Sequence, residues 1–324
     1  MVIDVQKTIL FTGAGFTHNF GGFLAKDMWA RIFNHPKIQA NERLRSLLLE
    51  TDDYEWVYTK VMEVASYTEQ DKQLLQEVVE GAYKKLDDSI RGLDSNNSIN
   101  YHSFGGPFLQ LFFGRNGKQG LFFSLNQDLF MERKNNFHSA GAPKFPHEFT
   151  SLSGREFENK YFVTLPSQDA KLQFEKGLKE HQGLHYIKLH GSYGWRSSNG
   201  TNQMVIGNNK QDNISKEPLL KIYSDFFKET IALGGIKLVV IGYGFRDMYI
   251  NKILLDSVKQ HNLQLYVITP KSMQEFTYAI ENGHYYARGI IEGIRGYFPS
   301  TLKDIFPKFR MIVPFPKLEV VEYG

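Results

Sequence analysis

The run Ile236-Lys237-Leu238-Val239-Val240-Ile241 is almost entirely apolar and branched, and it stops at Gly242. Such a run reads as a strand buried on both faces, and strands of that kind lie inside parallel sheets covered by helices. Shorter runs repeat the pattern, and each ends in residues able to do chemistry. Thr8-Ile9-Leu10-Phe11 enters Gly13-Ala14-Gly15, Gly120–Leu125 delivers Asn126-Gln127-Asp128, and His185–Leu189 stops at His190-Gly191. Leu263–Ile268 is a further strand, closed by Thr269-Pro270.

Between these strands the apolar spacing is helical. Helices are expected over Phe23–Phe33, Tyr54–Ser66, Asp71–Leu93, Pro107–Phe113, Leu219–Leu233 and Asp247–His261,. Residues 133–183 and 196–217 read as loops and short elements, the second stretch around a strand at Met204-Val205-Ile206. After Pro270 the pattern is short helix and loop. Strands alternating with helices specify an α/β fold with a doubly wound, mostly parallel, Rossmann-like sheet. Residues 35–100 read as a helical insertion, a small subdomain, between segments 1–34 and 101–324 that together form the sheet.

The 324 residues include no cysteine, which excludes disulfides, thiolate catalysis and cysteine-ligated zinc,. With 38 Lys and Arg against 35 Asp and Glu the net charge is +3, too small to argue for direct nucleic-acid binding,. Met1–Lys7 lacks the basic and apolar regions of a leader, and no apolar run approaches the ~20 residues that span a bilayer,. The expectation is a cytoplasmic protein without a membrane segment. The 26 Phe and 17 Tyr serve core packing and a subunit interface,.

Strand ends are where open α/β sheets bind ligands, so the residues there are the candidates. Gly13-Ala14-Gly15 lets the backbone turn sharply and bring its N–H groups close to a phosphate,. It is not the dehydrogenase fingerprint, because His18 stands where a third glycine belongs, and no P-loop lysine follows,. Asn126 and Asp128, two apart, suit either ligand positioning or a plain turn,. His190 is either a proton-transfer group or a structural histidine,. His181 and His185 have metal-like spacing on a helix, but Gly183 between them argues against a metal site,. Asp247 reads as the cap of the helix that follows, with a ligand role as the alternative,.

Taken in order, these motifs resemble the sirtuin superfamily. The counterparts are Gly13-Ala14-Gly15-Phe16-Thr17, Asn126-Gln127-Asp128, His190-Gly191, Gly242-Tyr243-Gly244 and Thr269. The chain departs from the family pattern at Leu125 (Gln in the family), Gln127 (aliphatic), Thr17 (Ser), and Gly244 and Thr269 (a late Ser and Asn). The zinc module of protein-deacylating members carries four cysteines, and the chain has none. Asn19-Phe20-Gly21-Gly22, Met28-Trp29, Lys188–Ser192 with Trp195, and Ile241–Phe245 with Asp247 resemble one branch more closely, the bacterial sirtuin-like domains of anti-phage defence.

The resemblance implies NAD as substrate, no metal, and hydrolysis to nicotinamide and ADP-ribose. It implies His190 as general base and Asn126 as the residue that positions water or a ribose hydroxyl. Asp128 would hold the carboxamide, Gly13, Ala14, Gly15 and Thr17 the diphosphate, and Gly242, Tyr243 and Thr269 the adenosine side. It also implies a homo-oligomer or a defence partner, such as a ring ATPase or a short Argonaute, because the chain ends soon after this fold. Two other readings stay open: a non-catalytic sensor of NAD or ADP-ribose, and a protein-lysine deacylase, which the missing cysteines oppose.

Overall fold

The computed structural model describes residues 4–92, 107–134, 145, 150–151, 163–165, 169–180, 183–197, 200–283 and 286–305. Ten strands lie among the described residues: β1 (Thr8–Thr12), β2 (Gly120–Ser124), β3 (Thr150–Ser151), β4 (Val163–Thr164), β5 (Leu184–Lys188), β6 (Gly191–Arg196), β7 (Asn202–Met204), β8 (Lys237–Ile241), β9 (Gln264–Thr269) and β10 (Ile294–Pro299). Six of them form one sheet in the order β10-β9-β8-β1-β2-β5. Every pairing in it is parallel. Counted by appearance, the sheet strands lie 3-2-1-4-5-6, the Rossmann order, and the order reverses between β1 and β8,. The α/β, parallel, doubly wound sheet expected from the sequence is the observed one.

Successive residues of a strand face opposite sides of a sheet, and here both sides are dry. Ile9, Phe11, Leu121, Phe123, Ile187, Leu238 and Val240 belong to one core, which takes in Tyr223 and Phe227 of the helix Pro218–Ile231. Leu10, Phe122, Tyr186 and Ile241 belong to the other. That second core is covered by the helices between β1 and β2: Ala25–Phe33, Pro36–Ala40, Glu42–Glu50, Tyr54–Glu63 and Glu69–Gly92. Residues 25–92 thus pack on the sheet as one helical layer. The helix Tyr54–Glu63 is started by Asp53, whose carboxylate accepts from the Glu55 and Trp56 N–H groups at 3.0 Å each,.

Four elements differ from the sequence expectation. β10 lies where short helix and loop were expected. Arg295 and Gly296 interrupt its apolar run, and it forms because β9 offers an edge; a Cβ at Gly296 would stand 2.7 Å from the Tyr266 ring. Helices Ala170–Glu180 and Lys210–Lys216 lie within stretches read as loops and short elements; the first buries Ala170, Phe174, Gly177 and Leu178 at helical spacing, and the second buries Ile214 alone. β6 continues directly after His190, because Gly191 at φ +73° turns the chain from β5 into a second sheet, β3-β4-β6-β7. The ends expected at Leu93 and at the last residues of the chain lie outside the described residues, as does His181. His185 faces Gln119 Oε1 at 3.1 Å through Nε2.

Candidate functional site

The reversal of strand order opens a crevice at the carboxyl ends of β1 and β8. Three glycines line it by omission. The Gly13 N–H donates to the Ile241 carbonyl at 3.0 Å and the Gly15 N–H to the Gly242 carbonyl at 2.9 Å. A Cβ on Gly13 would sit 2.8 Å from Gly242 O, and one on Gly15 would sit 2.7 Å from Gly242 Cα. Gly242 itself is at φ +65°, and a Cβ there would lie 2.1 Å from the Phe16 nitrogen. Only glycine lets the two strand ends touch backbone to backbone. The helix that follows, Ala14–His18, is one short turn with Ala14 exposed and Thr17 buried.

Thr17 joins this loop to the end of β2. Its hydroxyl accepts from Asn126 Nδ2 at 2.9 Å and also hydrogen-bonds the Asp128 carboxyl. The Asn126 backbone N–H donates to Ser124 Oγ, which accepts in turn from Thr12 Oγ1. Asn126 Oδ1 is buried and has no hydrogen-bond partner. Asp128 caps the helix Phe130–Lys134 by accepting from the Phe130 N–H at 2.9 Å. Burial raises its pKa, against the pull of the Lys188 ammonium.

Gln127, between these two, reaches the end of β5. Its Nε2 donates to the His190 carbonyl at 3.1 Å and to the Val205 carbonyl at 2.7 Å. Its Oε1 accepts from Tyr83 OH at 2.5 Å. His190 is only 4% exposed and stands at the corner between β5 and β6. Burial, and then the Lys210 ammonium, push its pKa down to about 3, so the imidazole is neutral at physiological pH,. His190 Nε2 lies 3.3 Å from Asp247 Oδ2, without the alignment of a hydrogen bond, so the ring nitrogen keeps an unmet demand while Asp247 Oδ2 is paired with Lys210 Nζ at 3.1 Å. Asp247 Oδ1 meanwhile accepts from the Ile250 N–H at 3.0 Å, the cap expected from the sequence.

The structure therefore brings Gly13, Gly15, Thr17, Asn126, Asp128, His190 and Gly242 into one linked set. Tyr243 turns the other way: its ring packs on Phe11 and Phe245, and its hydroxyl donates to Asn251 Oδ1 at 2.7 Å. Its side chain belongs to the core. Thr269 ends β9, one strand beyond β8 and half-buried, with no bond to the set. Three residues that the sequence did not single out for the site are present. Asp247 was read first as a cap, Lys210 sits in a polar stretch with no local pattern, and Glu55 lies in the first turn of an expected helix with nothing local to mark it for the site.

The family model for SIR2-like domains matches residues 121–286, just over half of the chain. The chain belongs to the SIR2-like family. No curated protein matches it. SIR2-like domains use NAD; here the glycine loop packs backbone to backbone against Gly242, and near it lies a buried, unpartnered carboxamide oxygen at Asn126. The SIR2-like match begins at β2, so the glycine loop enters through the structure rather than through the match. Among the described residues no group of His, Asp and Glu is arranged to hold a metal ion. No helix among them is long and apolar enough to cross a membrane.

Proposed function

We propose that this SIR2-like chain hydrolyses NAD to nicotinamide and ADP-ribose, as an NAD-depleting effector of anti-phage defence. The observation that carries the reading is the junction of Asn126 and His190 through Gln127, beside the glycine crossing. The backbone of Gly13–Gly15 and Thr17 would hold the diphosphate, and Asp128 would face the carboxamide. Gly242 would border the adenosine ribose through its backbone.

In the reaction, water attacks the anomeric carbon of the nicotinamide ribose and the bond from that carbon to the pyridinium nitrogen breaks. The bonding pair leaves with nicotinamide, which departs neutral. The water proton passes to a base. Neutral His190 is available for that proton, and the buried walls of the site limit competing nucleophiles,. The Asn126 carboxamide oxygen can hold the water or a ribose hydroxyl, because nothing in the protein engages it,. A ring ATPase, a short Argonaute or self-assembly would supply the trigger.

The test is purified protein with NAD, the products separated by chromatography, beside His190→Ala and Asn126→Ala. Each variant is expected to lose on the order of 10²–10⁴-fold in turnover. Unchanged turnover in both would remove these residues from the reaction.

A further inference from the structure

The imidazole of His190 is the near end of a line of charged side chains that runs from the buried Asp247 out to the half-buried Lys210 and Glu55, the latter in the helical layer. Asp247 Oδ2, at 3.3 Å from Nε2, is also 3.1 Å from Lys210 Nζ. Lys210 Nζ is in turn 2.8 Å from Glu55 Oε2. Glu55 stands in the first turn of the helix Tyr54–Glu63. The carbonyl of His190 is reached from the same turn by a second line. Tyr54 OH meets Tyr83 OH at 3.3 Å, Tyr83 donates to Gln127, and Gln127 donates to the His190 carbonyl. Two adjacent residues of one helix thus bear on the two ends of the histidine.

We propose that Asp247, Lys210 and Glu55 are positioning residues for His190, fixing its tautomer and ring orientation from the start of the helix Tyr54–Glu63. A carboxylate beside Nε2 favours the proton on that nitrogen and leaves Nδ1 as the base. Alone, Asp247 would also favour the imidazolium, which is no base. Lys210 answers that carboxylate, so the ring is oriented without being charged. Glu55 answers the remaining half of Lys210 and ties the arrangement to the helical layer. Lys210 has a carboxylate on each side and Asp247 has the Lys210 ammonium, which makes their burial tolerable,. The charged groups bearing on His190 are these same two, Lys210 and Asp247; the other segments that bond it, at Gln127 and Val205, are uncharged there.

The proposal rests on the hydrolase reading for its kinetic readout only. Its structural readout is the titration of the His190 ring by nitrogen NMR on histidine-labelled protein, the signal assigned by its loss in His190→Gln. In the wild type the ring stays neutral between pH 5 and 8. In Lys210→Met, Asp247 is left to His190 alone, and the midpoint is expected to rise by more than two pH units into that window. Lys210→Arg restores the wild-type titration. Asp247→Asn keeps an oxygen for the helix cap and removes the charge; its kcat for NAD is expected to fall at least tenfold, with KM changed less than twofold. A Lys210→Met ring that still fails to titrate above pH 5 would overturn the proposal. So would an Asp247→Asn enzyme of wild-type kcat. Should Lys210→Met not fold, the double variant Asp247→Asn with Lys210→Met, neutral at both positions, carries the test: a His190 ring with a single, wild-type tautomer there overturns it. A wild type that leaves NAD intact would sink the hydrolase reading and leave the titration result standing.

Discussion

Two buried lysines lie near the corner at His190, and the protein treats them in opposite ways. Lys188, two residues before the histidine and fully buried, donates to the Asp128 carbonyl at 2.5 Å, to Glu132 Oε1 at 2.7 Å and to Ser192 Oγ at 2.8 Å. An ammonium has three N–H groups, and all three are used. Lys210 is 13% exposed at its side chain and is shared between Glu55 and Asp247, with the His190 ring beside it short of a hydrogen bond. The first lysine uses every donor it has and holds β5, β6 and the helix Phe130–Lys134 together, although Glu132 Oε2 is left without a partner. The second leaves the His190 ring without a hydrogen bond, at the ring that the proposed reaction would use,.

That contrast can be broken at the scaffold lysine first. Lys188→Met strands the Glu132 carboxylate, whose pKa burial already holds high. It is expected to cost about 3–5 kcal/mol in urea unfolding at pH 7. Glu132→Gln in the same background should return part of that loss; no loss in the single variant would mean that Lys188 does not hold the corner. A smaller effect is expected at Ser192, one of the three acceptors. Ser192→Ala should cost about 1.5–3 kcal/mol by the same measurement.

The smallest effect separates the two clusters by pH. His190 has a folded pKa depressed to about 3 against about 6.5 in an unfolded chain, so below pH 6.5 the unfolded state binds the extra proton,. Its contribution therefore falls as pH falls through 6.5 toward 3. Between pH 7 and pH 6 the loss is about 0.7 kcal/mol, present in the wild type and absent in His190→Gln. Asp128 and Glu132 run the other way, since their raised values favour the folded state at acid pH and that advantage is lost as pH rises. An identical pH slope in the two proteins would mean that His190 is not held neutral by the fold.

Much of the fold was written where side chains alternate across a sheet. Thr8–Phe11 and Ile236–Ile241 carry apolar residues toward both faces, so each strand could be read alone. The glycines at 13, 15 and 242 were legible as turns, though their mutual contact was not, because it joins residues more than 200 positions apart. β10 was not legible, since its partner β9 supplies what Arg295 and Gly296 withhold. Asp247 was half legible: one oxygen follows a local rule and caps a helix, while the other serves residues from distant segments. Lys210 and Glu55 had no local rule to follow, and only the packing of the helical layer against the sheet pairs them.

The crossing of β1 and β8 fixes its shape with hydrogen bonds between main-chain atoms and with the left-handed Gly242. The entropy of shaping this loop is therefore spent when the polypeptide folds, and under the proposed reading an arriving dinucleotide would meet a floor already rigid.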